Sequence, residues 1–158
     1  MIQRKQTVFL ALAALLAGLM FVFPLVTYER TDHQVFLLKL LGLFHTDGST
    51  VPDVALKLPV HLVTAILIAL LVVCIFLYGS RGRQVRFVRM AYLFALSMQV
   101  GALITHMSVR AYLAQGSSVE HTFGPALFFP IGILVLCYLA ERGIRKDEEL
   151  VRSTDRLR

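Results

Sequence analysis

Four long runs of apolar residues alternate with polar segments along this chain. The runs cover residues 7–26, 58–78, 88–107 and 125–140. In a helix, twenty residues measure about 30 Å, which is the thickness of a bilayer's hydrocarbon core. Because backbone N–H and C=O groups in lipid must form their hydrogen bonds within the protein, the pattern predicts four transmembrane α-helices. The fourth run is the shortest, so we expect its helix to continue into the charged residues 141–158.

The segment between the first two runs has a different pattern. Residues 35–44 are mostly apolar, but they are too few to cross a membrane as a helix. Asp47-Gly48 is typical of a hairpin turn, with residues 51–58 as a possible returning strand. A helix lying in the membrane interface fits residues 35–44 as well. Residues 108–124 are expected to form a second polar loop.

Together these patterns predict an all-α membrane protein that forms one domain over residues 1–158. Its four helices would be capped by a small extracytoplasmic hairpin or interfacial segment between helices 1 and 2. The distribution of basic residues predicts the orientation, because cytoplasmic segments of membrane proteins are rich in Lys and Arg. Twelve of the 16 basic residues lie before the first run, between the second and third or at the starting edge of the third, or after the fourth. This predicts that both termini are in the cytoplasm.

Composition supports the membrane class. Of the 158 residues, 57% are hydrophobic and 16% are charged. These values exclude a disordered chain, a coiled coil and a typical soluble enzyme. The net charge of +6 lies mainly beside the apolar runs, which argues against nucleic-acid binding. The arginines between the second and third runs, with the one at the edge of the third, are predicted to contact lipid headgroups; they are Arg81, Arg83, Arg86 and Arg89.

The charged C-terminal segment is the candidate surface for a protein partner. It combines oppositely charged pairs at helical spacing with a narrow apolar seam. A solvated helical extension is the simpler interpretation, and a docking stripe for a partner or a second copy is the functional one. The predicted docking residues are Ile144, Arg145, Lys146, Leu150, Val151, Arg152 and Leu157.

The two ends of the chain resemble a known family. The N-terminal segment, residues 1–6, reads Met-Ile-Gln-Arg-Lys-Gln, and residues 145–158 form the charged end RKDEELVRSTDRLR. With four apolar runs between them, they are similar to the small bacteroidete membrane proteins known as domain of unknown function 4293. The resemblance implies a bacterial protein with four passes through the cytoplasmic membrane. It implies no activity and no catalytic residues.

Two histidines are candidates for binding a cofactor. His61 lies near the start of the second run and His106 near the end of the third, so both should lie at similar depth near the outer face. Histidines on different helices can ligate haem iron or another metal. The spacing matches no metal motif, and interfacial histidines commonly contact water or headgroups, so we predict no cofactor. A redox or metal-binding subunit remains an alternative hypothesis.

Small and polar residues inside the runs are interpreted as helix-packing positions, because close helix contact in membranes needs them. They are Ala14, Gly18, Ser97, Gln99, Gly101 and Thr105. Gln99 could instead face a pore shared between copies, which makes an oligomeric small-molecule carrier another alternative. The main hypothesis is a non-enzymatic accessory or assembly protein of the bacterial inner membrane. Its partners would be membrane lipids and a protein or a second copy, and not nucleic acid.

Overall fold

The computed structural model describes residues 5–30, 34–51, 58–114 and 118–155. Four α-helices occur in this part of the chain: α1 (Lys5–Leu19), α2 (Val60–Phe76), α3 (Arg81–Leu113) and α4 (Phe129–Asp155). Four β-strands accompany them: β1 (Val26–Arg30), β2 (Val35–Lys39), β3 (Gly42–His45) and β4 (Val119–Phe123). Short 3₁₀ turns follow α2 and precede α4.

The four helices pack as a bundle in which α1 contacts α2 and α4, and α3 contacts the same two helices. Each helix buries positions three or four apart, as one face of a helix does. In α1 these are Leu10, Ala13 and Ala17. In α3 they include Ala91 and Ala95. Alanines at the contact faces let the helix backbones approach closely.

The outward faces of the helices are apolar as well. Leu93 is 66% exposed, Met107 69% and Val135 54%. In the most apolar 18-residue window of α3 only 33% of the residues are buried, and the same share applies to segment Pro125–Glu149. The central helix of a water-soluble protein would be mostly buried, and soluble proteins rarely expose large apolar patches. These faces therefore fit an apolar surrounding.

The strands form one antiparallel sheet in the order β3-β2-β1-β4. Its side chains alternate between two faces, as in any strand. Val26 and Tyr28 of β1 are buried with Phe36 and Leu38 of β2, whereas Glu29 is exposed. One face of the sheet therefore packs on the protein core and the other is open to solvent.

The prediction of an all-α protein with four transmembrane helices is wrong. The sheet contradicts the all-α class, and in the described residues two helical segments are long and apolar enough to cross a membrane. They are α3 and Pro125–Glu149. The helices α1 and α2 have 15 and 17 residues, which gives lengths of about 22 and about 25 Å.

The first apolar run fails as a single helix for a local reason. Helix α1 ends at Leu19, a turn follows, and the run finishes inside β1. Pro24 cannot continue a helix because it lacks an N–H group and its ring clashes with the preceding turn. Strand β1 then begins with Val26-Thr27-Tyr28, which are β-branched and aromatic types that favour strands.

The two segments predicted as loops also differ from the prediction. A turn does form at Asp47-Gly48, where the amide of His45 donates to the carbonyl of Ser49 at 2.9 Å and Gly48 has a φ of 86°. The segment before it is the hairpin β2–β3, and beyond the turn one bridge joins Phe44 to Thr50. Residues 52–57 of the expected returning strand lie outside the described residues. The second loop, residues 108–124, contains the end of α3 and all of β4.

Candidate functional site

The sheet and helix α3 meet at a cluster of aromatic rings. In the register of β1 and β4, Tyr28 lies opposite His121, so both side chains are on the same face of the sheet. The ring of His106, from α3, lies 5.7 Å from the Tyr28 ring and 5.0 Å from the His121 ring, centroid to centroid. Phe123 completes the cluster at 5.5 Å from His106.

Tyr28 and His106 are joined by a buried hydrogen bond between Oη of Tyr28 and Nδ1 of His106, 2.8 Å apart. The hydroxyl of Tyr28 also lies 3.3 Å from the backbone carbonyl of His106, to which it can donate. Burial raises the pKa of Tyr28 well above its usual range, although the positive charge of Arg110 opposes this shift. The phenol is therefore neutral at physiological pH and is able to donate.

A groove opens beside this cluster, between the last turns of α3 and strand β4. Its volume is about 650 Å³, within the range of small-molecule sites. We call it the histidine groove. It is lined by Leu103, His106, Met107, Arg110, His121 and Phe123, together with Ala111 and Ala114.

The polar side chains among the described residues that line the histidine groove are all basic. Arg110 is exposed at its edge, His121 is half-buried, and His106 is 7% exposed. No carboxylate is among the described lining residues, and within the described chain Arg110 makes no ion pair. The groove thus combines apolar walls with a local excess of positive charge and hydrogen-bond donors.

His61 is not among the described rings that contact His106. In the described chain the rings in contact with His106 belong to Tyr28, His121 and Phe123. His61 is half-buried near the start of α2, and its Nδ1 is buried with no hydrogen-bond partner among the described residues. The described residues contain no group of three His, Cys, Asp or Glu side chains that could hold a metal ion.

The opposite end of the bundle is polar and holds α4 against its neighbours. The side-chain amide of Gln6 donates to Oδ2 of Asp147 at 3.3 Å, and the guanidinium of Arg81 donates to the carbonyl oxygen of Asp147 at 2.9 Å. Ile144 is fully buried, and a Cβ on Gly143 would contact Gln6. Helix α4 is therefore fixed to α1 and α3 as far as Asp147.

Away from these contacts, α4 presents a charged surface to solvent. We call this surface the α4 charged face; it consists of Tyr138, Glu141, Arg142, Arg145, Lys146 and Glu149. Oε1 of Glu141 accepts from Nε of Arg89 at 3.1 Å and from Nη2 of Arg145 at 2.6 Å. Arg142 and Lys146 are exposed and make no ion pair within the described residues.

The predicted docking residues differ in their accessibility. Arg145 and Lys146 are exposed, but Ile144 is in the core and cannot contact a partner without unfolding. Residues 150–152 continue α4 as backbone, and the side chains of Leu150, Val151 and Arg152 lie outside the described part. Leu157 lies outside the described residues altogether.

Of the four arginines predicted to contact headgroups, two are bonded to α4. Arg81 contacts Asp147 and Arg89 contacts Glu141, as described above. Nε of Arg83 donates to Oγ of Ser80 at 3.0 Å, and Arg86 is exposed. Arg83, Arg86 and Arg89 are therefore exposed to headgroups or solvent, whereas Arg81 is half-buried.

The predicted packing residues divide into buried and outward positions. On α3, Gly101 and Thr105 are buried, and a Cβ on Gly101 would lie 3.5 Å from Val60 of α2. Ser97 is exposed and donates to the carbonyl of Leu93, while Gln99 is half-buried. On α1, Ala14 and Gly18 are half-buried. The hydroxyls of Ser97 and Thr105 bond carbonyls of their own helix, four residues back.

Comparison with known proteins identifies a family and no activity. The family model described as Domain of unknown function (DUF4293) matches residues 2–157. The chain belongs to this family. The resemblance inferred from the two ends of the sequence is thereby confirmed, and it extends over nearly the whole chain. No curated protein matches the sequence.

In this member of the DUF4293 family, the aromatic cluster joins residues that are far apart in the sequence. Sequence reasoning identified His106 but missed its neighbours Tyr28, Arg110 and Phe123, and treated His121 as a loop residue. A local signal was present, because residues 119–123 alternate Val-Glu-His-Thr-Phe, as a half-buried strand does. Their pairing with β1 has no comparable local signal.

Proposed function

We propose that this protein is a membrane-embedded, non-enzymatic accessory protein that binds a partner protein through the α4 charged face. The observation that carries the proposal is the fixed position of this face. The contacts of Gln6 and Arg81 with Asp147 hold α4 in place, so binding would not require the ordering of a free tail. Ordering costs reduce the affinity of flexible segments, and a rigid surface avoids them.

The charge of the α4 charged face suggests the chemistry of the partner. Glu141 is paired with Arg89 and Arg145. The other charged groups of the face are the exposed bases Arg142 and Lys146 and one exposed acid, Glu149, so basic groups are in excess. An acidic protein surface complements them, and such complementarity favours rapid and specific association. We therefore expect a partner with an acidic contact surface.

The membrane location is part of the same proposal. It is supported by the two helical segments of sufficient length and by the apolar side chains on the outside of the bundle. Residues Arg81 and His106 lie near opposite ends of α3, about 37 Å apart along the helix axis. The charged end of the bundle would lie in the cytoplasm according to the positive-inside rule, and the sheet on the other side.

Affinity purification from native membranes in mild detergent tests the partner role. We expect a partner protein to copurify with the wild type. Its recovered amount should fall at least about tenfold when Arg142→Glu is combined with Lys146→Glu. The matched control is Arg83→Glu combined with Arg86→Glu, which makes the same charge change at exposed positions of α3. The proposal would be contradicted if neither pair of substitutions changed the recovery of the partner, or if both pairs reduced it equally.

A truncation after Glu149 separates the α4 charged face from residues 150–158. It keeps Asp147 and its contacts, so the bundle end should remain intact. Partner recovery that survives this truncation locates binding on the α4 charged face. Recovery that is lost in the truncation but kept in the Arg142 and Lys146 variant would place the binding site in residues 150–158 and overturn our assignment.

A further inference from the structure

We propose that the histidine groove binds a long-chain amphiphile with an anionic headgroup, with Arg110 and His121 at the headgroup and the acyl chain along Leu103 and Met107. The shared chemistry is a carboxylate or phosphate attached to an acyl chain. This site is separate from the α4 charged face, at the other end of α3. The inference relies on the proposed membrane location only for the source of the ligand.

The walls of the groove fit an acyl chain. Leu103, Met107 and Phe123 line it and are 41%, 69% and 47% exposed. Leu103 and Met107 belong to the outward apolar surface of the bundle, which fits an apolar surrounding, and an acyl chain supplies such a surrounding. Leu103 and Met107 are also one helical turn apart, so they form a continuous apolar strip along α3.

The headgroup end of the groove fits an anion. Arg110 lies one turn beyond Met107 and presents a guanidinium that forms no described ion pair. A guanidinium binds carboxylate or phosphate through two parallel hydrogen bonds. His121, on the facing strand, adds an imidazole that can donate to the same anion. No acidic side chain among the described lining residues competes for these groups.

The position of His106 makes the floor of the groove rigid. Its Nδ1 is occupied by the Tyr28 hydroxyl at 2.8 Å, so Nε2 is the ring nitrogen left for a ligand. The ring is also held between the sheet and α3 by its contacts with Tyr28, His121 and Phe123. A preorganised polar group reduces the entropy cost of binding.

Binding can be measured on the full-length protein in mild detergent with a dansyl-labelled undecanoic acid as probe. We expect saturable binding by the wild type, and binding about tenfold or more weaker in Arg110→Gln, which leaves a polar side chain but removes the charge and shortens the reach. Arg86→Gln is the matched control, because Arg86 is an exposed arginine near the other end of α3. Its affinity should equal that of the wild type.

A second variant tests the location independently of charge. Ala114→Trp places a large ring in the groove at an exposed position, so the fold should tolerate it and probe binding should be lost. Equal affinity of the wild type and Arg110→Gln, or undiminished binding by Ala114→Trp, would overturn the proposal. So would the absence of saturable binding by the wild type.

Displacement of the probe identifies the source of the anion. Dodecanoate displacing better than dodecyl phosphate indicates a free fatty acid, and the reverse order indicates a phospholipid-like headgroup; both support the site. Dodecanol displacing as well as either anion would show that the chain alone is bound, and would refute the anionic headgroup. Partner copurification is a separate readout, so failure of this inference and failure of the proposed function are distinguishable.

Discussion

At the scale of single residues, the bond between Tyr28 and His106 joins the sheet to the helical bundle. Both side chains are buried, and each contains a polar atom that would be costly to leave without a partner. The contact spans 78 positions in the chain, so it forms only when β1 and α3 are both in place. A buried polar pair of this kind specifies the relative position of the two elements.

Tyr28→Phe should therefore destabilise the protein. The substitution keeps the ring but leaves Nδ1 of His106 buried without its hydroxyl partner, at a cost of about 1–3 kcal/mol in free energy of unfolding. The measurement is denaturant unfolding in mild detergent. Tyr112→Phe is the control, because Tyr112 lies on α3, the helix of His106, and is 40% exposed. Its effect on the free energy of unfolding should be within about 0.5 kcal/mol. Equal stability of both variants would contradict the assigned role of the bond.

Asp47 gives a prediction about pH. Its carboxylate accepts from the amide and the hydroxyl of Ser49, at 2.9 and 2.7 Å, and these bonds hold the pKa of Asp47 below its ordinary value of 3.8. Because the folded pKa is the lower one, the stabilisation is fully present above the ordinary value. It is lost as the pH falls through the folded pKa.

Ser49→Ala should accordingly reduce the acid sensitivity of this turn. Removing the hydroxyl raises the Asp47 pKa toward its ordinary value, so the wild type should lose more stability than the variant between about pH 6 and about pH 3. The measurement is the unfolding midpoint as a function of pH in both proteins. Thr46→Ala serves as a control for loss of a neighbouring exposed hydroxyl. Parallel pH curves for the wild type and Ser49→Ala would rule out the linkage.

At the scale of elements, the junction between β4 and α4 depends on Gly124. The amide of Gly124 donates to the carbonyl of Leu25 at 2.9 Å, which extends the pairing of β1 with β4 by one step. A Cβ at this position would overlap the carbonyl oxygen of Pro24. The close backbone approach therefore requires glycine, and it places α4 directly after the sheet.

Gly124→Ala should separate β4 from the segment before β1. We expect a loss of about 1–3 kcal/mol in free energy of unfolding, because the obstructing atom is backbone and cannot move aside cheaply. Gly18→Ala is the control: it lies in helical surroundings with no atom within 4 Å of the added Cβ, and alanine favours helix. If Gly124→Ala were as stable as the wild type, the backbone at this junction would have room for a Cβ, and the requirement for glycine would be refuted.

The same elements show what could be predicted from the sequence. The apolar runs predicted all four helices, and α4 does continue into the charged residues after the fourth run, as expected. A hairpin after the first run was one of the predicted alternatives, but the four-stranded sheet was not predicted, because β1 begins at the last residue of an apolar run and pairs with β4 across α2 and α3. The contacts of His106 with Tyr28 and His121 were not predicted for a related reason. Counting residues gives the depth of His61 and His106 along their helices, but not which side chains face each other.

At the scale of the whole molecule, the bundle has two chemically different ends. Gln6, Arg81 and Asp147 meet at one end, and the sheet with His106 and His121 is at the other. Helix α3 connects them over about 37 Å between Arg81 and His106, which exceeds the hydrocarbon thickness of about 30 Å. With apolar side chains on the outside of the bundle between these ends, we expect them to lie on opposite sides of a membrane.

Cysteine labelling with a membrane-impermeant maleimide tests this expectation in spheroplasts. Glu120→Cys introduces a thiol on the exposed face of β4, and Arg83→Cys introduces one at the charged end. Native Cys74 and Cys137 are both fully buried, so the unmodified protein should show little background. We expect Glu120→Cys to react in sealed spheroplasts and Arg83→Cys to react only after permeabilisation, because positively charged segments stay in the cytoplasm. Reaction of both thiols before permeabilisation would refute the crossing, and reaction of Arg83→Cys alone would invert the orientation.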